Sequence, residues 1–214
     1  MFSNKELRSM IITLFFEQLL VMLVGIVDTF VVSSCGEAAV SGVSLVNQFN
    51  TIFIYLFTAL ASGGAIIVSQ YIGNKDEKRT VLSSSQLLMF SIVFSIVLSI
   101  LVLIFNKQLL GLLFGKVESD VMKACVTYLR ISAYSYPALA IYNAGAALYR
   151  SMAKTKVTMY ISFAANIINV VGNIIGVYVL KAGVAGVAYP SLISRVFSAI
   201  IITVLCFNKK LEAY

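Results

Sequence analysis

Long apolar stretches recur six times along the chain, separated by short polar connections. They cover approximately residues 10–32, 43–72, 81–105, 126–149, 157–180 and 184–207. A helix needs about 20 mainly apolar residues to cross a bilayer, so each stretch is long enough to span one. The pattern predicts an all-α, polytopic membrane protein, a bundle of six transmembrane helices that forms a single unit over residues 1–214.

The composition excludes an ordinary soluble enzyme. Hydrophobic residues make up 60% of the chain and charged residues 12%, whereas soluble domains have roughly 45–50% and about 25%. The chain has no His and three Cys, which excludes the usual zinc and Cys–His sites. No nucleophile–base pair or phosphate-binding glycine loop is visible either. We therefore expect neither enzymatic activity nor a cofactor.

The basic residues predict how the helices are oriented. Most Lys and Arg residues lie before the first span, in the 2–3 and 4–5 connections and after the sixth span. By the positive-inside rule, this distribution puts both termini in the cytoplasm. The basic residues lie in separate short loops, so the net charge of +7 does not indicate nucleic-acid binding. We expect residues 106–115 to form a short amphipathic helix at the outer lipid interface.

Charged residues within the predicted spans are candidates for function. Glu17 and Asp28 lie about three turns apart in the first span, which puts both on one face of the helix. Ionisable groups inside a bilayer are costly and usually face a cavity or a partner. Arg195 lies near the middle of the sixth span and needs such a partner, for which Glu17 and Asp28 are the available acids. Alternatively, these acids only join helices together.

The fifth span carries a polar stripe. Four side chains recur at steps of four, three and four residues, which is the spacing of one helix face: Ser162, Asn166, Asn169 and Asn173. Gly172 and Gly176 form a small-xxx-small pair that permits close approach by another helix. Amide oxygens with a carboxylate suit a small cation, with a candidate sodium site at Asp28 and Asn169, or a proton. Alternatively, the Asn side chains only join helices.

The fourth span combines a proline with several tyrosines. Pro137 is expected to kink the helix, because it lacks an N–H group and its ring disfavours continuous helix. Among the tyrosines we include Tyr134 as a candidate site residue.

Three segments carry a family resemblance. They are residues 25–49 (GIVDTFVVSSCGEAAVSGVSLVNQF), residues 60–79 (LASGGAIIVSQYIGNKDEKR) and residues 149–194. In order and spacing they resemble the N-terminal half of multidrug and toxic compound extrusion (MATE) transporters. The resemblance is closest to the bacterial branch that has Val-Asp-Thr in its first helix.

The resemblance implies a secondary active antiporter in the bacterial inner membrane. Such proteins expel cationic or amphipathic compounds in exchange for protons or sodium. Asp28 matches the family's coupling acid, Asn169 matches its helix-5 Asn, and Ser191 stands where a helix-6 Thr often occurs. Asn173 departs from the family, since many members have Asp there, and this loss of a carboxylate favours protons over sodium.

The resemblance also implies a missing partner. Family members have twelve helices in two six-helix lobes, so the 214 residues correspond to the N-terminal lobe, with both termini cytoplasmic. We expect Asp28 to lie in a pocket between the first, fifth and sixth spans, with Glu17, Asn166 and Arg195 as further site residues. Membrane lipid and a second lobe are the expected partners. The alternatives are an inert half-lobe that needs the second lobe, and a flippase for lipid-linked precursors.

Overall fold

The computed structural model describes residues 4–115 and 117–207, and this part of the chain is helical throughout apart from short turns. The helices are α1 (Asn4–Ser33), α2 (Glu37–Gly73), α3 (Glu77–Phe114), α4 (Ser119–Tyr134), α5 (Tyr136–Ser151), α6 (Thr155–Ile174) and α7 (Ala185–Phe207). A π-helical turn, Ile175–Val179, continues α6. The predicted all-helical fold is confirmed. Lys116, Lys209 and Lys210, which contributed to the predicted orientation, lie outside the described residues.

Five helical stretches within the described residues are long and apolar enough to cross a membrane. They are Leu7–Ser33, Glu37–Gly73, Glu77–Phe114, Thr155–Val179 and Ala185–Phe207. They correspond to the first, second, third, fifth and sixth predicted spans. Helices α2 and α3 begin earlier than the predicted apolar stretches, and each has a Glu as its first residue. For α3, the Asp76 carboxylate caps the helix by accepting a hydrogen bond from the Arg79 backbone N–H at 3.0 Å.

The fourth predicted span is two helices instead of one. Helices α4 and α5 have 16 residues each and meet at Ser135. Pro137 lies in the first turn of α5, where its missing N–H costs no helical hydrogen bond, while its ring disfavours helical backbone just before it. The helix is therefore interrupted two residues before Pro137, at Ser135, whose backbone keeps helical angles of φ −85° and ψ −10°. The predicted span of residues 126–149 is corrected to two helices over residues 119–151.

The segment expected to form a separate amphipathic helix is joined to α3. The backbone leaves helical geometry at Phe105, where φ is −101° and ψ is 17°, and then resumes as a helix to Phe114. Beyond this bend Leu110 is fully buried, whereas Leu112 is 84% exposed. One face of the segment therefore packs on the bundle and the other is free to contact lipid.

Small residues bring α6 and the following π-helical turn close to α7. A methyl group built on Gly172 would lie 2.6 Å from Cβ of Pro190, and one built on Gly186 would lie 2.6 Å from the carbonyl oxygen of Gly176. Since real Cβ atoms do not approach other atoms so closely, glycine is required here. The predicted small-xxx-small contact of Gly172 and Gly176 is confirmed, and its partner is the start of α7.

An aromatic core holds α2 against the start of α5. The rings of Phe53 and Tyr136 stack with centroids 4.7 Å apart, and Phe49 meets Phe53 edge to face. The buried Tyr136 hydroxyl donates a hydrogen bond of 2.7 Å to Oδ1 of Asn50. Helix α1 joins this core only at its C-terminal end, through Val31 and Val32, and otherwise packs mainly against α6. Its Met22, Ile26 and Phe30 side chains are consequently 62%, 65% and 74% exposed.

An ion pair ties the N-terminal half of α1 to the end of α5. Nη2 of Arg150 lies 3.0 Å from Oε1 of Glu17. Glu17 is only 7% exposed, and its second oxygen has no hydrogen-bond partner within the described residues. This pair therefore fixes a part of α1 that has few other buried contacts.

Replacing Gly176 by alanine should destabilise the bundle. The added methyl group would meet the backbone of Gly186, which forces α6 and α7 apart and costs about 1–3 kcal/mol. The control is Gly63→Ala in α2, where the surroundings are open and alanine is the better helix former by roughly 0.5–1 kcal/mol. Thermal unfolding in detergent should give a lower Tm for Gly176→Ala only. Equal Tm values would contradict the close contact.

Replacing Glu17 by glutamine should also destabilise the bundle. The Arg150 guanidinium would lose its carboxylate, at a cost of about 1–3 kcal/mol, which is less than for a fully buried pair because Arg150 is one-third exposed. Asp120→Asn is the matched control, since it breaks an exposed pair with Lys123. A double-mutant cycle of Glu17→Gln and Arg150→Gln measures the coupling. Additive losses would show that the two residues do not interact.

Candidate functional site

A cavity of about 330 Å³ lies where α1, α6 and α7 meet, with further walls from α2, α4 and α5. Its apolar lining includes Val21, Val24 and Leu139. Its polar lining consists of Asp28, Asn47, Tyr128, Tyr142, Ser162, Asn166, Asn169, Ser191, Ser194, Arg195 and Ser198. One acid, one base and a set of amides and hydroxyls therefore face a single space within the bundle.

A chain of hydrogen bonds connects the three main walls of this cavity. The Asn169 amide on α6 donates to Oγ of Ser191 on α7 at 2.9 Å. One turn further along α6, the Asn173 amide donates to Oδ1 of Asn169 at 3.0 Å and also to Oδ1 of Asp28 on α1. Residues four apart lie on the same helix face, which is why both Asn side chains reach the junction. The charge of Asp28 is thereby linked to α6 and α7.

Asp28 is only partly satisfied by its neighbours. It accepts a hydrogen bond from Asn173, and the positive charge of Arg195 acts on it from a distance. In the described part of the chain, no Lys or Arg nitrogen lies within 4.0 Å of the Asp28 carboxylate. Oδ1 of Asn173 is buried and has no donor partner there. A partly buried carboxylate without an ion pair can be neutralised by a proton or by a cation.

Arg195 has a different partner from the acids that were expected. Its Nη1 donates to Oγ of Ser135 at 2.6 Å, at the break between α4 and α5. Neither Glu17 nor Asp28 forms an ion pair with Arg195 among the described residues. The expectation of an acidic partner is corrected, because the break turns the Ser135 hydroxyl toward Arg195 while Arg150 takes the Glu17 carboxylate.

Three of the predicted site residues do not line this cavity. Asn173 is fully buried behind it and bonds to Asp28 and Asn169, which do line it. Glu17 is held by Arg150, and Tyr134 is 60% exposed at the end of α4. The aromatic residues that line the cavity are Tyr128 and Tyr142. Buried positions recur at helical spacing along α4, at Val121, Cys125, Tyr128 and Ser132. Tyr128 lies in the cavity lining because it is on this buried face, whereas Tyr134 is not. The same spacing in the sequence could have distinguished Tyr128 from Tyr134.

The chain is similar to a known protein family and to several individual proteins. The MatE family model matches residues 13–175. The chain is 27% identical to the "Uncharacterized transporter YisQ" of Bacillus subtilis, a match that covers 93% of this chain and 44% of that protein. It is 23% identical to the "Probable multidrug resistance protein NorM" of Thermotoga maritima, covering 97% of this chain and 45% of that protein. The chain therefore spans less than half the length of these relatives.

Solved structures share the same fold. A multidrug resistance MATE family transporter in an outward-facing conformation superimposes with a TM-score of 0.87 at 22% identity, covering 93% of this chain and 44% of that one. A MATE protein in the bent conformation gives 0.89 at 21% identity, with 97% and 46% covered. Since the family model matches most of the chain and the fold agrees, the resemblance predicted from the residues is confirmed, and the chain belongs to the MatE family of MATE transporters.

Proposed function

We propose that this chain is one lobe of a proton-coupled antiporter that expels cationic or amphipathic organic compounds, with Asp28 as the coupling acid. The observation that carries the proposal is a membrane-embedded carboxylate that lines a cavity and has an amide, but no ion pair within the described residues, as its partner. Relatives named as multidrug resistance or extrusion proteins support the substrate class.

Competition for one negative charge would provide the exchange. When Asp28 is ionised, it attracts the positive group of a compound in the cavity. When Asp28 is protonated, this attraction is gone, while the neutral carboxyl is cheaper to keep in a low-dielectric site. A proton and an organic cation therefore weaken each other's binding by the same factor, as thermodynamic linkage requires.

The hydrogen-bond chain offers a way to convert this charge change into movement. The bond from Asn173 to ionised Asp28 is charge-assisted, and it weakens when the carboxyl is protonated. Helix α1 packs mainly against α6, so this bond is one of the few polar links that hold it in the bundle. Proton uptake would thus loosen α1 from α6, and a compound can bias the two arrangements only by its difference in affinity for them.

The side chains at Asp28 favour a proton over sodium. A hard cation needs several oxygen ligands, and Asp28 is the single carboxylate in the cavity lining. The Asn169 oxygen, a candidate ligand, already accepts a hydrogen bond from the Asn173 amide. A proton needs only the Asp28 carboxylate itself.

A second six-helix lobe would complete the transporter. The chain spans less than half the length of its relatives, and alternating access requires one helical unit to move against another. The exposed apolar face of α1 at Met22, Ile26 and Phe30 offers surface for that lobe. Lipid would cover the remaining apolar exterior, in the inner membrane of a bacterial cell. By itself the chain would then be a half-lobe that binds compounds without transporting them.

Asp28→Asn should remove the pH dependence of cation binding. We expect the unaltered chain, purified in nanodiscs, to bind radiolabelled tetraphenylphosphonium more tightly at alkaline than at acidic pH. The Asn variant should bind about tenfold more weakly, equivalent to about 1.4 kcal/mol, with no pH dependence. Asp120→Asn, which removes an exposed acid outside the cavity, is the control and should behave like the unaltered chain. An unchanged pH response in Asp28→Asn would refute the coupling role.

The chain alone should bind but not transport. In proteoliposomes that contain only this chain, an imposed pH gradient should drive no accumulation of tetraphenylphosphonium above that of protein-free vesicles. Binding of the same compound by the same preparation serves as the control for folding. Gradient-driven accumulation by the chain alone would contradict the need for a second lobe.

A further inference from the structure

Arg195 brings a positive charge into the cavity, where Asp28 acts on it only from a distance and forms no ion pair with it in the described part of the chain. It lies on α7, lines the cavity, and has no carboxylate oxygen within 4.0 Å among the described residues. Its hydrogen bond goes to the neutral hydroxyl of Ser135. A guanidinium group has five N–H donors, so this single bond leaves most of them open. Keeping such a charge within a membrane bundle is costly unless a ligand compensates it.

Asn166, in the wall of the same cavity, carries a second donor without a partner among the described residues. It lies on α6 one turn before Asn169, and its Nδ2 is buried without an acceptor in the described part of the chain. A buried amide donor that makes no hydrogen bond is unfavourable. Two independent groups on two facing helices therefore lack an acceptor in the same space.

The serines of α7 form no hydrogen bond with Arg195 or Asn166 among the described residues. Their hydroxyls donate to backbone carbonyl oxygens three or four residues earlier in the same helix, from Ser191 at 3.1 Å, Ser194 at 3.0 Å and Ser198 at 2.9 Å. Asp28, the acid in the lining, accepts from Asn173 instead. The unused hydrogen-bonding groups of Arg195 and Asn166 in the α6–α7 wall are therefore N–H donors, which an acceptor with negative charge would satisfy.

We infer that Arg195 and Asn166 form a binding site for an oxyanion group, a carboxylate or a phosphate, on the transported compound. Guanidinium and amide N–H groups are the donors that recognise planar oxyanions with charge-assisted hydrogen bonds. The inference rests on the proposed function, in that the cavity is the transport cavity. It deepens that function by defining the substrate class as amphipathic zwitterions, with the cationic group at Asp28 and the oxyanion at Arg195.

The size and lining of the cavity fit such a compound. Its volume of about 330 Å³ is in the range of small-molecule sites, which are roughly 300–1,000 Å³ and mostly apolar with a few directed polar groups. Apolar walls at Val21, Val24 and Leu139 can hold a ring system between the two charged ends. A zwitterion in this position would neutralise Asp28 and Arg195 together, which neither a simple cation nor a simple anion can do.

A matched pair of dyes tests the inference. Rhodamine B carries a free carboxylate beside its cationic xanthene, and its ethyl ester is the same cation without the carboxylate. Fluorescence anisotropy with the purified chain in dioleoylphosphatidylcholine nanodiscs gives both affinities. We expect the unaltered chain to prefer rhodamine B by roughly tenfold. In Arg195→Gln the two dyes should bind with equal affinity.

Three further variants separate recognition from folding. Arg195→Lys should keep part of the preference, because it retains the charge but not the planar fork. Asn166→Ala should reduce the preference by about threefold, as expected for one neutral donor. Arg130→Gln is the matched control, since Arg130 is an exposed arginine on α4 away from the cavity lining, and its preference should equal that of the unaltered chain. If Arg195→Gln does not fold by circular dichroism, Arg195→Lys and Asn166→Ala decide the question.

Equal affinities for the two dyes in the unaltered chain, or binding of neither, would overturn the inference. So would a preference that persists in Arg195→Gln. The pH dependence of tetraphenylphosphonium binding reports on Asp28 separately, so loss of that dependence with an intact dye preference would overturn the proton coupling alone. The reverse result would overturn the oxyanion site alone.

A competition experiment distinguishes the two sources of an oxyanion. Displacement of rhodamine B by soluble dihexanoylphosphatidate or dihexanoylphosphatidylcholine, but not by uncharged dihexanoylglycerol, supports a site that accepts the phosphate of a lipid. Displacement by none of the three lipids supports a site that selects the carboxylates of drug-sized compounds. Displacement by dihexanoylglycerol to the same extent as by the two phospholipids would overturn the site, because a lipid without an oxyanion would then compete equally well.

Discussion

The hydrogen bond from the Asn173 amide to the Asp28 carboxylate is the interaction on which the cavity depends. It joins α1, whose other side is largely exposed, to a helix that is itself packed tightly on α7 through glycine. Within α6 the same amide also bonds to Asn169, which in turn reaches Ser191. A single acid is thus connected, through two Asn side chains and one Ser hydroxyl, to both other helices.

Much of the fold follows from local patterns in the sequence. The length of each apolar stretch identifies the spans, and the Gly172–Gly176 pair identifies a face of close contact. Both can be predicted because each depends only on the residues of a single helix. The break at Ser135 is harder to predict. Pro137 indicates that the helix is disturbed, but whether the chain bends or separates into two helices depends on how Tyr136 packs against Phe53 on α2. Such a contact between distant residues has no signature in local sequence.

The candidate site likewise has one part that local sequence predicts and another part that it does not. Asp28, Asn166, Asn169 and Ser191 line one cavity because helical periodicity on α1, α6 and α7 already puts them on facing sides. The partners of Glu17 and Arg195 depend instead on which helices are neighbours. Arg150 was assigned to a connection, yet α5 extends to Ser151 and carries it to Glu17. The choice between Tyr128 and Tyr134 similarly required knowing which face of α4 is buried. The assignment to the Val-Asp-Thr branch stays a prediction.

The division of the fourth span has a consequence for how the protein is made. Sixteen helical residues extend over about 24 Å, which is less than the hydrocarbon thickness of a bilayer of about 30 Å. Helix α4 in addition carries Asp120, Lys123 and Arg130, so it has little tendency to partition into lipid on its own. Helix α2 packs against both α4 and α5. Since the two helices meet end to end at Ser135 and both pack on α2, we expect their insertion to depend on α2 more than on their own apolar character.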